Sequence, residues 1–334
     1  MRAVVIQGPG RVGVEQVPPP APGPGEVLIR VKACGLCGTD VHLYRGEYLG
    51  SYPLIPGHEA SGEVAGVGPG VTGLAPGERV ALEPNISCGS CRFCLTNQQN
   101  FCHNWSAVGV TRPGAMAEYV VAPAANCFAI GDLAYEAAAF MEPLSCVLHG
   151  LDQVSVEPGD RVLLFGAGPI GLLLIQVLMA LGASQVTVIE RSPRRRQSAA
   201  QLGASAFPAV TEQLAERAAA DEFDLVVEAT GDPGLIGETL RLARKGGRVL
   251  LFGVPPASST ATIEPFLIFR KGLRVVGSYT SRRNSIAALR LQQAGRVRTE
   301  GLVTHRLPLE KFAEGVALLD NPEQVLKVMF LPET

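Results

Sequence analysis

The 334-residue sequence has little charge, a single tryptophan, and no apolar stretch of membrane length. Charged residues make up 18% of it and the formal net charge is −2. No basic field is therefore available to hold a phosphate backbone, and no nucleic-acid partner is expected. The longest apolar run, IGLLLIQVLMALGA from Ile170, is interrupted by Gln176 and too short to span a bilayer comfortably. The opening MRAVVIQGPG moves straight into a short apolar strand and lacks the long apolar core of a signal peptide. A cytoplasmic protein with reduced thiols and no membrane partner is expected. What is present is 47% hydrophobic residues in a chain long enough for two domains. That composition suits a folded globular protein.

Half of the eight cysteines sit in one stretch, SCGSCRFCLTNQQNFC, spaced Cys88-x2-Cys91-x2-Cys94-x7-Cys102. Two-residue gaps turn successive thiolates toward one point, and the longer gap returns a fourth from the far side of a loop. Disulfides between such near neighbours would close tiny strained rings. A tetrahedral structural zinc is the better reading. Four thiolates leave no open position for a substrate, so this zinc is expected to brace a lobe over residues 84–103. A nucleic-acid finger is disfavoured, because the stretch holds one arginine, Arg92, and no lysine.

A second set of donors is sparser. Cys37 stands in CGLCGTDVHLYRGEY with Thr39, Asp40 and His42 behind it, and YPLIPGHEASGEV later offers His58 and Glu59. Cys, His and carboxylate from separate loops make an open, catalytic type of zinc site. Taken singly, each has an ordinary explanation: a buried cysteine as filler, a His-Glu pair at the surface.

From Arg161 the texture changes to alternating strands and helices. RVLLFGAGPIGLLLIQVLMALGA reads as strand, glycine turn and apolar helix, and QVTVIE as a second strand ending on Glu190. Gly166, Gly168 and Gly171 fit G-x-G-x-x-G, which lets a pyrophosphate approach a helix N-terminus. An acid at the end of the next strand completes the dinucleotide fingerprint. Further strands at SAFPA, FDLVVEATG, GRVLLFGV and GLRVVGS predict a doubly wound sheet. A carboxylate at Glu190 favours NAD by binding ribose hydroxyls and repelling a 2′-phosphate. The following Arg191, Arg194, Arg195 and Arg196 keep NADP as the minority reading. The segment before Arg161 has many short strand-like runs and predicts a β-rich domain, with PPPAPGPGE as a loop.

With GHE, the four-cysteine lobe, GAGPIG and KGLRVVGSY in place, the chain resembles a zinc-containing medium-chain dehydrogenase over essentially its whole length. The resemblance implies an α/β protein with a GroES-like β-rich catalytic domain (1–143 and 280–334) and a doubly wound Rossmann NAD-binding domain (144–279). It implies Cys37, His58 and Glu59 as catalytic zinc ligands, with Glu142 of FMEPLSC as a further ligand, direct or through water. A glutamate at that position points toward the sorbitol and threonine dehydrogenase branch and away from ethanol-type enzymes. Thr39 and His42 would relay the proton, and Asp40 would support the metal site from behind. On the cofactor side it implies Ile170 beside the pyrophosphate turn, Glu190 on the ribose and Arg195 near the adenosine. Phe252, Gly253, Val254, Ser278 and Tyr279 would flank the nicotinamide.

The expected reaction is oxidation of a secondary alcohol, a polyol such as sorbitol, to a ketone with hydride transfer to NAD. L-threonine or another alcohol is the alternative, because Thr280 and Ser281 stand where sorbitol dehydrogenases carry an Arg-Tyr pair. The expected complement is two zinc ions per chain, one catalytic and one structural. The expected partners are a small-molecule alcohol and further copies of the chain, as a dimer or tetramer. Trp105 is read either as packing or as part of a substrate pocket. Cys34, Cys127 and Cys146 are read as structural.

Overall fold

The computed structural model describes every residue except Leu49, Pro322 and Thr334. The chain forms two compact units, Met1–Ser145 with Ser281–Thr334, and Cys146–Thr280.

The first unit is built on a seven-stranded sheet. Its longest strand, β1 (Glu26–Gly35), alternates as a half-buried strand should, with Val27, Ile29, Val31 and Ala33 fully or nearly fully buried. Antiparallel pairing with β2 (Glu59–Val67) sets Gly35 opposite Glu59 and Cys34 opposite Ala60. On the other side of the same end, the strand Lys327–Phe330 places Met329 opposite Gly35 and Phe330 opposite Cys34. Three segments far apart in sequence therefore converge at one end of β1. The helix α1 (Gly38–Arg45) leaves that end directly. The proline-rich stretch before β1 forms no helix or strand, as its composition predicts. Beneath the sheet, Ile6, Leu36, Leu43, Leu82, Met116 and Phe330 are among its fully buried side chains. Truncating any one of the leucines to alanine costs about 2–5 kcal/mol.

The boundary between the units falls within the helix α2 (Met141–Val154). The second unit carries a six-stranded parallel sheet of β3 (Arg161–Phe165), β4 (Gln185–Ile189), β5 (Ser205–Phe207), β6 (Leu225–Glu228), β7 (Arg248–Leu251) and β8 (Arg274–Gly277). Their spatial order is β5-β4-β3-β6-β7-β8, so the strand sequence reverses between β3 and β6. The central strands read RVLLF, VTVI and LVVE because helices cover a parallel sheet on both faces. The long apolar run of the sequence becomes α3 (Pro169–Ala180), a 12-residue helix buried along most of its length. No helix among the described residues is long and apolar enough to cross a membrane. Arg248, 6% exposed, fastens the unit by donating from Nη2 to Asp160 Oδ1 (2.5 Å) and from Nη1 to the Ser155 carbonyl (2.6 Å).

Candidate metal and cofactor sites

Donor atoms of Cys37, His58 and Glu59 all lie within 4.8 Å of one another. Strand register explains how. Cys37 follows β1 as the N-cap of α1, and His58 and Glu59 enter β2 across from Gly35. Asp40 is fully buried behind them. Its Oδ2 accepts from the Cys37 N–H (2.9 Å) and its Oδ1 from the Gly57 N–H (3.0 Å), so one carboxylate fixes both donor-bearing loops. The same Oδ1 lies 3.4 Å from His58 Nδ1, a buried nitrogen with no hydrogen-bond partner. A carboxylate behind a histidine donor is the arrangement that orients metal-binding imidazoles.

Lys327 completes the pocket. Its buried ammonium pairs with Glu59 Oε2 and lies 5.9 Å from the centre of the Phe140 ring. A Cβ at Gly35 would stand 2.2 Å from Glu59 Oε2 and 2.9 Å from Lys327 Cε, so only glycine leaves room for this pair. Burial disfavours positive charge on His58 and Lys327, yet both are held above their usual ranges. For His58 the anions Asp40 and Cys37 prevail, and for Lys327 Glu59 and Cys37. A buried pocket with thiol, imidazole and carboxylate donors gathered at one point fits a zinc site with an open position. Glu142 is buried in the first turn of α2 but lies outside the 4.8 Å set. Thr39 and His42 are three residues apart on α1, which puts them on one helix face. His42 Nδ1 is 2.7 Å from Glu47 Oε2.

The four lobe sulfurs also lie within 4.8 Å of one another. Cys91 to Cys94 is 3.5 Å, and Cys88 to Cys94 and Cys91 to Cys102 are each 3.9 Å. A Zn–S bond of about 2.3 Å places tetrahedral sulfurs ~3.8 Å apart, so the set fits zinc. All eight cysteines are free thiols. Main-chain N–H groups of Ser90 and Cys91 push the Cys88 thiol down to about 5, whereas burial pushes Cys102 up to about 11. Metal binding there would release the more resistant protons.

In the second unit, Gly166 has φ of +96°, and a Cβ on Gly171 would stand 2.2 Å from the Gly166 carbonyl oxygen. The turn thus requires both glycines, and Gly168 caps α3 at its N-terminus with Pro169 and Ile170 in the first turn. Glu190, just past β4, reaches back to it. Its carboxylate accepts from the Ala167 N–H (2.9 Å) and the Ser192 N–H (2.8 Å). Arg195 Nη1 would be 3.7 Å from a Cβ on Gly168, beside the same turn. Arg196 is engaged with the carbonyls of Glu190 (2.8 Å) and Arg191 (2.5 Å). Phe252, Gly253 and Val254 follow β7, and Ser278 and Tyr279 follow β8, all at carboxyl ends of the sheet. A Cβ on Gly150 of α2 would press to 2.7 Å from the Phe252 ring and 3.3 Å from Ser278 Oγ. The helix therefore packs directly on this rim.

Several buried charges escaped sequence reasoning, among them Lys327, Asp160, Arg248 and Glu228, and a further one is Glu83. Its Oε1 accepts from Asn85 Nδ2 (2.7 Å) and its Oε2 from the hydroxyls of Ser285 (2.7 Å) and Ser281 (3.1 Å). Asn85 Oδ1 in turn accepts from Trp105 Nε1 (3.0 Å), so Glu83 ties the lobe's edge to the returning segment. A cavity of about 460 Å³ opens beside this network and includes none of Cys37, His58 and Glu59 in its walls. The one available signal was the apolar strand RVALE ending on an acid.

Residues 23–132 match the alcohol dehydrogenase GroES-like domain, and residues 169–293 match the zinc-binding dehydrogenase domain. D-altritol 5-dehydrogenase of Agrobacterium fabrum is 36% identical over 338 residues, covering 100% of both chains. L-threonine 3-dehydrogenase of Bacillus licheniformis is 36% identical over 344 residues and 98% of each chain. Among solved structures, a protein of Sinorhizobium meliloti 1021 described as a zinc-binding dehydrogenase and bound to NADP superposes with a TM-score of 0.92 at 35% identity. An alcohol dehydrogenase of Escherichia coli CFT073 in complex with NADH gives 0.93 at 30% identity. Each pair covers 99% of both chains.

Proposed function

The chain belongs to the zinc-dependent medium-chain dehydrogenases and is an NAD(P)-type alcohol dehydrogenase, and from that premise we propose that it oxidises a secondary alcohol of a polyol to a ketone with NAD. The observation that carries the reading is the buried Cys37, His58 and Glu59 set, held by Asp40 and kept apart from a closed four-sulfur lobe. The altritol dehydrogenase relative supports a polyol. The equally identical threonine dehydrogenase keeps L-threonine as the second reading.

Cys37, His58 and Glu59 would hold the catalytic zinc, and Glu142, outside their set, is assigned to its outer sphere. When bound, the metal supplies Lewis acidity that lowers the pKa of the substrate hydroxyl. The nicotinamide cofactor supplies the hydride acceptor. Thr39 would receive the hydroxyl proton and His42 would pass it outward, with Glu47 holding His42 Nδ1. Gly166 and Gly171 would let a pyrophosphate reach the N-terminus of α3, and Glu190 would take the ribose hydroxyls. Exposed Phe266, Phe269 and Val275, close to or on the edge strand β8, support a homo-oligomer.

A screen of NADH formation against polyols, L-threonine and simple alcohols tests the substrate. Polyol turnover at least tenfold above the others is expected, and turnover of threonine alone would overturn the polyol reading. Metal analysis should find one zinc for each of the two donor sets. Zinc in the lobe alone would overturn the catalytic assignment.

A further inference from the structure

Glu228 is 2% exposed at the end of β6, next to the point where the strand order reverses. Its carboxylate accepts from the main-chain N–H groups of Thr230 (2.6 Å) and Gly231 (3.1 Å) and from the Thr230 hydroxyl. Its own carbonyl accepts from the N–H groups of Phe252 (2.8 Å) and Gly253 (2.9 Å). One residue thus ties the turn after β6 to the turn after β7, using main-chain donors in place of a lysine or arginine. A buried carboxylate is costly unless its lone pairs are filled, so the turn must hold this shape for the acid to be tolerated.

The knot presses on the glycine turn. A Cβ on Gly166 would stand 2.9 Å from Thr230 Cγ2 and 3.5 Å from the Ala229 carbonyl carbon. A Cβ on Gly253 would stand 2.1 Å from the Gly231 nitrogen and 2.7 Å from Glu228 Oε2. One on Gly231, at φ of +77°, would stand 2.6 Å from the Val254 carbonyl oxygen. Three successive turns at the carboxyl edge therefore interlock without spare volume. In doubly wound sheets that edge, at the reversal of strand order, is where ligands bind.

We propose that Glu228 is a positioning residue for the nicotinamide cofactor, holding Thr230 against Gly166 and fixing residues 252–254 before the cofactor arrives. The inference rests on the dehydrogenase reading above. A crevice already shaped spends none of its binding energy on ordering loops, so losing Glu228 should weaken cofactor binding ahead of substrate binding. Glutamine at this position keeps the volume but offers one acceptor oxygen, and its NH2 would oppose a main-chain N–H.

The test is NADH titration of the zinc-loaded full chain by calorimetry, with steady-state kinetics and thermal unfolding of the same samples. Glu228→Gln should raise the NADH Kd and the NAD KM at least tenfold, with the alcohol KM at saturating NAD within twofold of wild type. An unchanged Kd overturns the proposal. So does a lowered Tm with a wild-type Kd in the folded fraction, since that marks a structural role alone. Should Glu228→Gln fail to fold, Thr230→Val decides, because it keeps the bulk against Gly166 and deletes the hydroxyl that Glu228 holds. A threefold or greater rise in Kd supports the proposal, and a wild-type Kd overturns it. Failure of the wild-type protein to bind NADH at all would instead overturn the cofactor reading on which the proposal stands.

Discussion

Replacing Glu190 separates two tasks that one carboxylate performs. In the structure it accepts from Ala167 N–H and Ser192 N–H, so it braces the glycine turn as well as standing where the adenosine ribose is expected. Hydrogen bonds to a charged acceptor contribute about 1.5–3 kcal/mol. Glu190 is only partly buried, so water recovers part of that when it is removed. A loss of about 1.4–2.8 kcal/mol for NAD lowers kcat/KM by ~10–100-fold. For NADP the same substitution also removes a repulsion, about 4 kcal/mol for unit charges 4 Å apart at an effective dielectric of about 20. Glu190→Ala should therefore leave NADP turnover level or raised, and the NAD-to-NADP ratio of kcat/KM should fall at least tenfold. Glu190→Gln, which keeps an acceptor oxygen without the charge, should fall between the two. The assay is the initial rate at 340 nm with each cofactor and one alcohol. A wild-type preference for NADP, or a ratio unchanged within twofold, would refute the reasoning.

Cys91→Ser should remove one equivalent of zinc and lower Tm while the nucleotide unit stays folded, whereas Cys37→Ser should keep the fold and lose at least ~10³-fold in activity. Metal analysis and calorimetry distinguish them, and full zinc content in Cys91→Ser would end the brace assignment. Lys327→Met leaves Glu59 buried without its cation, and breaking a buried pair in this way costs about 3–5 kcal/mol. That cost should fall mainly on chelator-treated protein, because bound zinc supplies Glu59 with another cation; an equal loss of Tm with and without zinc would count against the shared role. Asp224 has a further consequence for pH. Burial raises its carboxyl pKa, but hydrogen bonds from the Arg161 N–H and the Arg244 guanidinium outweigh burial and hold it low. Its stabilisation is complete above the ordinary carboxyl value of about 3.9 and disappears as pH falls through the lowered one. In urea titrations from pH 6 down to 3, wild type and Asp224→Asn should therefore converge, and a gap that widened toward acid would contradict this.

The features legible in the sequence were those written in short range. Gly166 and Gly171 are demanded by the turn itself, Glu190 follows at the end of the next strand, and the lobe's cysteines are near neighbours. Cys37, His58 and Glu59 were legible only as suitable donor types on separate loops, because strand register unites them and register is set by long-range pairing. Lys327 was invisible for the same reason: nothing near it in sequence marks its meeting with Glu59 across β1. Glu142, expected to reach the metal directly or through water, lies outside the 4.8 Å set of Cys37, His58 and Glu59. It rides on the first turn of a helix, whereas Cys37 caps α1 just after β1 and His58 and Glu59 enter β2 opposite that end. Glu228 and Glu83 were unreadable because a buried acid is recognised only by the N–H and O–H groups gathered around it.

The strand Lys327–Phe330 closes onto β1 only after the whole of Cys146–Thr280 has been synthesised. A ribosome therefore releases Cys37, His58 and Glu59 early, and the lysine that balances Glu59 comes late. The intervening nucleotide unit has its own core and can fold as a unit in the meantime. The Cys37, His58 and Glu59 pocket is thus among the later parts of the nascent protein to reach electrical balance. Zinc delivered before that moment would meet an unfinished set of donors, so a chain truncated before Lys327 should build a sound Cys146–Thr280 unit and a donor set that never closes.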